Sequence, residues 1–152
     1  LTRVVDFVVA QDVGFAITPL YVEGQMQGGA VQGVGYSLTE ELVIEEGRLL
    51  NANLALYKIP TTLEAPHVRP IIVESASTNG PYGAKGVGEP PVVVSPGAVA
   101  NALTAAIGTP IHTTPFTPER VLRVILQGEA AATPVFPDWF DTRPGEARTP
   151  AS

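Results

Sequence analysis

The chain has 152 residues, 45% of them hydrophobic and 16% charged, which is enough for one domain with a buried core and leaves few charges for its surface. With 9 basic against 15 acidic residues the net charge is −6, which argues against nucleic acid or an anionic membrane as the main partner. The absence of cysteine excludes a disulfide, an iron–sulfur cluster or a thiolate–zinc site built from this chain. His67 and His112 show no ligand spacing and read as ordinary histidines, so no metal ligands are expected here. No apolar run approaches the roughly 20 residues that span a bilayer, and no signal peptide is visible, which predicts a cytoplasmic location. Leu1 in place of Met, running straight into strand-like sequence, predicts a chain separated from an upstream part.

Residues 2–11 (TRVVDFVVAQ) are rich in β-branched side chains and predict a strand buried on at least one face. Asp12-Val13-Gly14 turns it. Thr18 then predicts a helix N-cap with Pro19 at the first helical position. The helix expected over residues 21–41 contains Gly24, Gly28, Gly29, Gly33 and Gly35, each costing about 1 kcal/mol relative to alanine. Gln25 and Gln32, seven apart, share a face with Gly28 and Gly29. Two readings fit: a bare backbone surface flanked by two amides for a flat polar ligand, or close packing of another element against the glycines, the commoner use.

Glu46-Gly47 between residues 42–45 and 48–51 predicts a two-residue hairpin. The polar stretch from Tyr57 to Pro70 reads as loop, and residues 71–74 as a short strand. There follows Gly80-Pro81-Tyr82-Gly83-Ala84-Lys85-Gly86-Val87-Gly88-Glu89-Pro90-Pro91, a loop of set shape in which Glu89 sits between the glycines and a stiff Pro-Pro. Ser95-Pro96 predicts the start of an alanine-rich helix, with Gly108 at its C-terminal end. Thr117-Pro118 opens a second short helix to about Leu126. Residues 128–152 shift to Ala, Pro and Thr and predict a tail, poorly ordered or draped on a partner. The expected architecture is α+β with a hairpin and three main helices, as a domain over residues 1–127 followed by that tail.

Neither glycine segment is a nucleotide-binding fingerprint: GPYGAKGVGE lacks the G-K-[ST] ending, and GGAVQGVG lacks G-x-G-x-x-G. No G-x-S-x-G elbow is present. Glu89 is the candidate catalytic group on composition. Its apolar neighbours and Lys85, four residues back, act on a carboxylate in opposite senses. A solvated loop glutamate is the plain alternative.

Three segments in this order, GQMQGGAVQGVGYSLTEEL, NANLALYKIP and GPYGAKGVGEPP followed by an alanine-rich helix and TPERVL, bring in a family. From about Val4 to Leu126 the chain resembles the C-terminal part of the molybdopterin-binding large subunit of the molybdenum hydroxylases, the xanthine dehydrogenase / aldehyde oxidase family. The resemblance implies that Glu89 is the general base acting on a water or hydroxyl at molybdenum during hydroxylation of an aldehyde or N-heteroaromatic substrate. It implies that Lys85, Gly86, Val87 and Gly88 line the metal centre as loop backbone, with no direct role for the side chains of Lys85 or Lys58. It also implies that Gln32 and Gln25, with Gly28 and Gly29, contact the pterin of a molybdenum–pterin cofactor, in molybdopterin or cytosine dinucleotide form. The cofactor would be shared with the remainder of the large subunit, and FAD and 2Fe-2S centres would sit only on partner domains or subunits. Where family members often read D-V-G-R-A-I-N-P, this chain has Phe15 and Thr18, which implies loss of a polar contact to the cofactor or a neighbouring segment. A non-catalytic remnant of the same fold is the rival expectation.

Overall fold

The structure is a computed structural model that describes residues 2–127, so the expected tail at 128–152 lies outside the described residues. Strand β1 spans Asp6–Asp12, shorter at its start than the sequence predicts. Its alternation is that of a half-buried strand: Phe7 and Val9 enter the core while Val8 is exposed. Helix α1 spans Pro19–Leu38. Thr18 caps it with its carbonyl, which accepts the N–H groups of Tyr21 and Val22, and its side chain makes no cap bond. The helix ends three residues before Glu41, where the N–H groups of Thr39 and Glu40 both close on the carbonyl of Gly35.

The hairpin forms at the expected turn but is short, with β2 over Ile44–Glu45 and β3 over Arg48–Leu49. Glu46 and Gly47 take φ of 47° and 75°, the twist that a two-residue hairpin turn needs. Asn51 closes its base by accepting from Val43 N (2.9 Å) and donating to Glu41 O (2.6 Å). Strand β4, His67–Val73, pairs in parallel with β1, Asp6 lying opposite His67 and Asp12 opposite Val73. It therefore starts inside the stretch read as loop. His67 N–H bonds Val5 O, so alternation turns Pro70, which has no N–H to give, away from β1.

The largest departure is helix α2, which spans Pro90–Ile107 rather than opening at Ser95. Pro90 and Pro91 fill its first turn, where amide hydrogens are not needed. Pro96 lies inside the helix, and the expected cap, Ser95, instead donates its hydroxyl to Pro91 O at 2.6 Å. At 18 residues and mean hydropathy 1.3, α2 meets the length and composition of a membrane span, which the sequence reading did not foresee. Here it lies along α1, burying Pro91, Ser95, Val99 and Leu103. Gly108 ends it in the left-handed conformation, φ 77°. Helix α3 spans Pro118–Gln127, capped by Thr117 Oγ1 accepting from Arg120 N. Arg120 ties it back to Glu41 at 2.6 Å and to Pro115 O.

The core draws on every layer: Phe7 and Val9 from β1, Met26, Ala30 and Val34 from α1, Val99 and Leu103 from α2, and Ile111, Phe116 and Val124 beyond. Among the described residues the sheet has two strands, a two-residue-wide hairpin stands apart, and three helices complete an α+β fold.

Candidate functional site

The glycine loop is fastened to the end of β1. Asp12 Oδ1 accepts from Gly14 N at 2.9 Å, and this turn sends residues 13–15 antiparallel to the loop. Phe15 N donates to Gly83 O and Lys85 N to Val13 O, both at 2.9 Å, around a bridge between Gly14 and Ala84. Only glycine suits position 14: its φ is 66°, and a Cβ there would stand 2.2 Å from Gly83 O. The loop closes on itself through a 3₁₀ turn, Pro81–Gly83, with Tyr82 in the left-handed region at φ 55°. Lys85 Nζ then reaches Asp12 Oδ2 at 2.6 Å. That lysine, followed by the Gly14 N–H, holds the Asp12 carboxyl below its ordinary range. Gln11 Nε2 donates to Gly86 O at 3.4 Å.

From Lys85 the chain passes through Gly86, Val87 and Gly88 to Glu89, the last residue before α2. Gly88 faces α1, where a Cβ added to it would lie 3.8 Å from Gln25 Nε2. Pro91, two residues beyond Glu89, seats against Gly29, whose missing Cβ would come within 2.9 Å of it. Gly33 accommodates Ser95 one turn further on. The loop end, the start of α2 and the glycine face of α1 thus form one wall. Glu89 is exposed on it, its carbonyl accepts from Val92 N, and its carboxylate makes no cap bond to its own helix.

The five glycines of α1 divide between the two readings. Gly29 and Gly33 are buried under α2, and Gly35 would meet Glu40 and Pro60, so these serve packing. Gly29 therefore takes the packing role of the two that the sequence leaves open, and its burial under α2 sets it apart from the exposed Gly28 with which the resemblance groups it. Gly24 and Gly28 are exposed, with nothing within 4 Å of an added Cβ. Gln25 is exposed beside Gly88. Gln32 is exposed too, its Nε2 donating to the Tyr36 hydroxyl at 2.6 Å. Lys58 is engaged at the other end of α1, donating to Ala55 O while its carbonyl accepts from Thr39. His67 bonds Asp6 at 3.3 Å, in a cluster with Arg69.

Beside the loop lies a groove of about 270 Å³ lined by Phe15, Ile17, Tyr21, Gln25, Lys85 and Val87, among others. Phe15, half-exposed at 53%, makes one wall of it apolar, while its backbone still holds Gly83. The sequence reading missed Gln11 and Asp12 as anchors of the loop. Asp12 had a local signal, its turn with Gly14, but its partner Lys85 is 73 residues away.

Residues 1–66 match the family description "Molybdopterin cofactor-binding domain". The xanthine dehydrogenase molybdenum-binding subunit of Escherichia coli O157:H7 is 39% identical over 112 residues, covering 72% of this chain and 15% of that protein. The aldehyde oxidoreductase of Megalodesulfovibrio gigas is 32% identical over 127 residues, covering 82% of this chain and 14% of that protein. Among solved structures, quinoline 2-oxidoreductase from Pseudomonas putida 86 superposes with a TM-score of 0.78 at 40% identity, over 84% of this chain and 17% of that one. The chain thus spans about one-seventh of the length of the curated relatives it matches. Fold, site and likeness together define a molybdopterin cofactor-binding domain. The chain belongs to the molybdenum hydroxylase family, that of xanthine dehydrogenase and aldehyde oxidase.

The open wall suits the organic part of such a cofactor. It offers two exposed amides, Gln25 and Gln32, and bare backbone at Gly24 and Gly28 where a Cβ would otherwise project. Among the described residues no group of three or more His, Cys, Asp or Glu could hold a metal ion.

Proposed function

We propose that this chain forms one wall of the molybdenum–pterin site of a hydroxylase or dehydrogenase, with Glu89 as the general base. The observation that carries the reading is the place of Glu89. Its carboxylate stands exposed, uncommitted to its own helix, where a pinned loop meets α2, and the residue before it, Gly88, faces the amide of Gln25. When bound, the cofactor supplies the two-electron oxidation by which water hydroxylates an electron-poor carbon. Glu89 takes up a proton from that water on a carboxylate oxygen. Gln25 and Gln32 offer hydrogen bonds to the pterin, and Gly28, with Gly86 and Gly88, lets it approach the backbone. The substrate class is an aldehyde or an N-heteroaromatic ring, in keeping with relatives named for xanthine, an aldehyde and quinoline.

The rest of the site comes from the remainder of a large subunit, and iron–sulfur and flavin partners carry the electrons away. Supporting this, large apolar side chains lie open at Val93, Val94, Leu122 and Leu126. Phe15, where an arginine is common in the family motif, favours the second reading, a non-catalytic module that keeps the fold. One substitution separates the two. In the complete assembly Glu89→Gln is isosteric but cannot take the proton, so turnover falls by about 10²–10⁴-fold while pterin content stays at the parent level. Parent-level turnover in Glu89→Gln, with the cofactor in place, would end the assignment.

A further inference from the structure

We infer that Asp12 and Lys85 act as a positioning pair that sets the direction of Glu89, an inference that rests on Glu89 being the base. Main-chain bonds fasten the loop only as far as Lys85, whose N–H goes to Val13 O. Beyond it, among the described residues, no main-chain hydrogen bond holds Gly86, Val87 or Gly88 until Val92 N meets Glu89 O. Two of those three residues are glycine. An added Cβ would meet nothing within 4 Å at Gly86, and at Gly88 only Gln25 at 3.8 Å. Val87 between them packs against the core, so the freedom of the segment lies at its two glycines, whose backbone turns freely unless the ends are held.

One end is held by α2. The other is held by side chains from β1. The Asp12 carboxylate uses both oxygens, Oδ1 on Gly14 N and Oδ2 on Lys85 Nζ, so the anchor is itself fixed against the turn that carries the bridge. Gln11 adds its amide to Gly86 O, and its Oε1 is buried without a partner among the described residues. Reversing that amide would set oxygen against oxygen, so the loop contact decides its orientation. The Asp12–Lys85 pair is more than one-third exposed on both sides, and such pairs contribute little to global stability. Its consequence is local: it fixes the first residue of the segment that ends in the carboxylate.

The test uses the complete enzyme with Asp12→Asn, Lys85→Met, the double variant and Lys85→Arg. Asp12→Asn keeps an oxygen for Gly14 N and replaces the oxygen that accepts from Lys85 with an NH2 donor, so it removes the pair alone. Misplacement of a catalytic group by an ångström costs up to about 10²-fold, so each single variant is expected to lose about tenfold or more in kcat. KM and pterin content are expected to stay at parent values, because the two side chains are engaged with each other. The double variant loses no more than either single one, and Lys85→Arg keeps most of the activity. Hydrogen–deuterium exchange at residues 86–89 rises in the single variants and not in Lys85→Arg. Parent-level kcat and exchange in the single variants would overturn the inference. So would multiplied losses in the double variant, or activity that falls only in step with lost pterin. Glu89→Gln run in parallel keeps the two ideas apart: if it turns over normally, the base reading fails whatever the pair does. If it is inactive while the pair variants run at the parent rate, only the positioning role fails.

Discussion

Gly33→Ala tests whether the glycines of α1 are there for packing. In an isolated helix the substitution would stabilise by about 1 kcal/mol. In the fold, the new Cβ would lie 2.3 Å from Ser95 Cβ, 2.8 Å from Ser95 Oγ and 3.1 Å from Val92 O. Carbon atoms rest at about 3.5–4.0 Å, so α1 and α2 must part by roughly an ångström. Side-chain rearrangement cannot relieve this. Ser95 is fully buried with its hydroxyl on Pro91 O, and Val92 O is backbone. Overpacking of this kind costs about 1–3 kcal/mol and more where backbone must move, so it exceeds the propensity gain. We expect a net loss of about 1–2 kcal/mol, or on the order of 2–4 °C in Tm for each kcal/mol. Gly28→Ala is the internal control: nothing lies within 4 Å of its added Cβ, so stability rises by up to about 1 kcal/mol. In the complete assembly, however, it lowers pterin retention. Urea unfolding followed by far-ultraviolet circular dichroism measures both. A Gly33→Ala protein as stable as the parent, or a Gly28→Ala protein equally weakened, would refute the division of the glycines into packing and open sets.

Two further outcomes concern the Gly14 anchor of the loop and the two aspartates of β1. Gly14→Ala places a Cβ 2.2 Å from Gly83 O and 2.9 Å from Lys85 N at a backbone φ of 66°, so it should detach the loop from β1. Faster hydrogen exchange at residues 83–85 is the signature, and unchanged protection there would show that the bridge tolerates the methyl group. Asp6 and Asp12 are both held below the ordinary aspartate value of 3.8, Asp6 chiefly by Arg69 and then His67, Asp12 chiefly by Lys85. A carboxyl lowered in the folded state contributes stability that is complete above its unfolded value and is lost as pH falls through the folded one. Stability should therefore decline below about pH 4, and Asp6→Asn with Asp12→Asn should flatten that decline in a pH series of urea unfolding. An acid limb identical in the double variant would exclude these two groups as its source.

What the sequence disclosed was what neighbouring residues decide among themselves. Glu46-Gly47 makes its turn because both residues can take positive φ, Gly108 ends α2 for the same reason, and Thr117-Pro118 starts α3 through a bond spanning three residues. What it concealed depends on partners far along the chain. Pro70 reads as a strand breaker until its position relative to β1 shows that its absent N–H faces away from the pairing. Ser95-Pro96 reads as a helix start until Gly33 and Pro91 claim Ser95 as packing surface and hydroxyl donor. The Asp12–Lys85 contact joins residues 73 apart, and periodicity carries no information about it. Glu89 is singled out by composition and given a role by resemblance, but Gln25 comes to face the adjoining Gly88 only through the packing of the loop on α1.

The earlier start of α2 changes how Glu89 is held. On a loop ending near Ser95, its direction would depend on several unrestrained residues. With Pro90 and Pro91 as the first helical turn, the carboxylate projects from the rim of an 18-residue helix whose first prolines have fixed φ. That helix is located by close approach to Gly29 and Gly33. The packing and binding readings of α1 are therefore connected. The buried glycines of α1 bring α2, with Glu89 at its N-terminus, up against the helix whose exposed face carries Gln25, Gly28 and Gln32. A substitution that pushes α2 away must then move Glu89 relative to the amides, so, with Glu89 as the proposed base, Gly33→Ala should lower kcat in the complete assembly although residue 33 is buried between the helices.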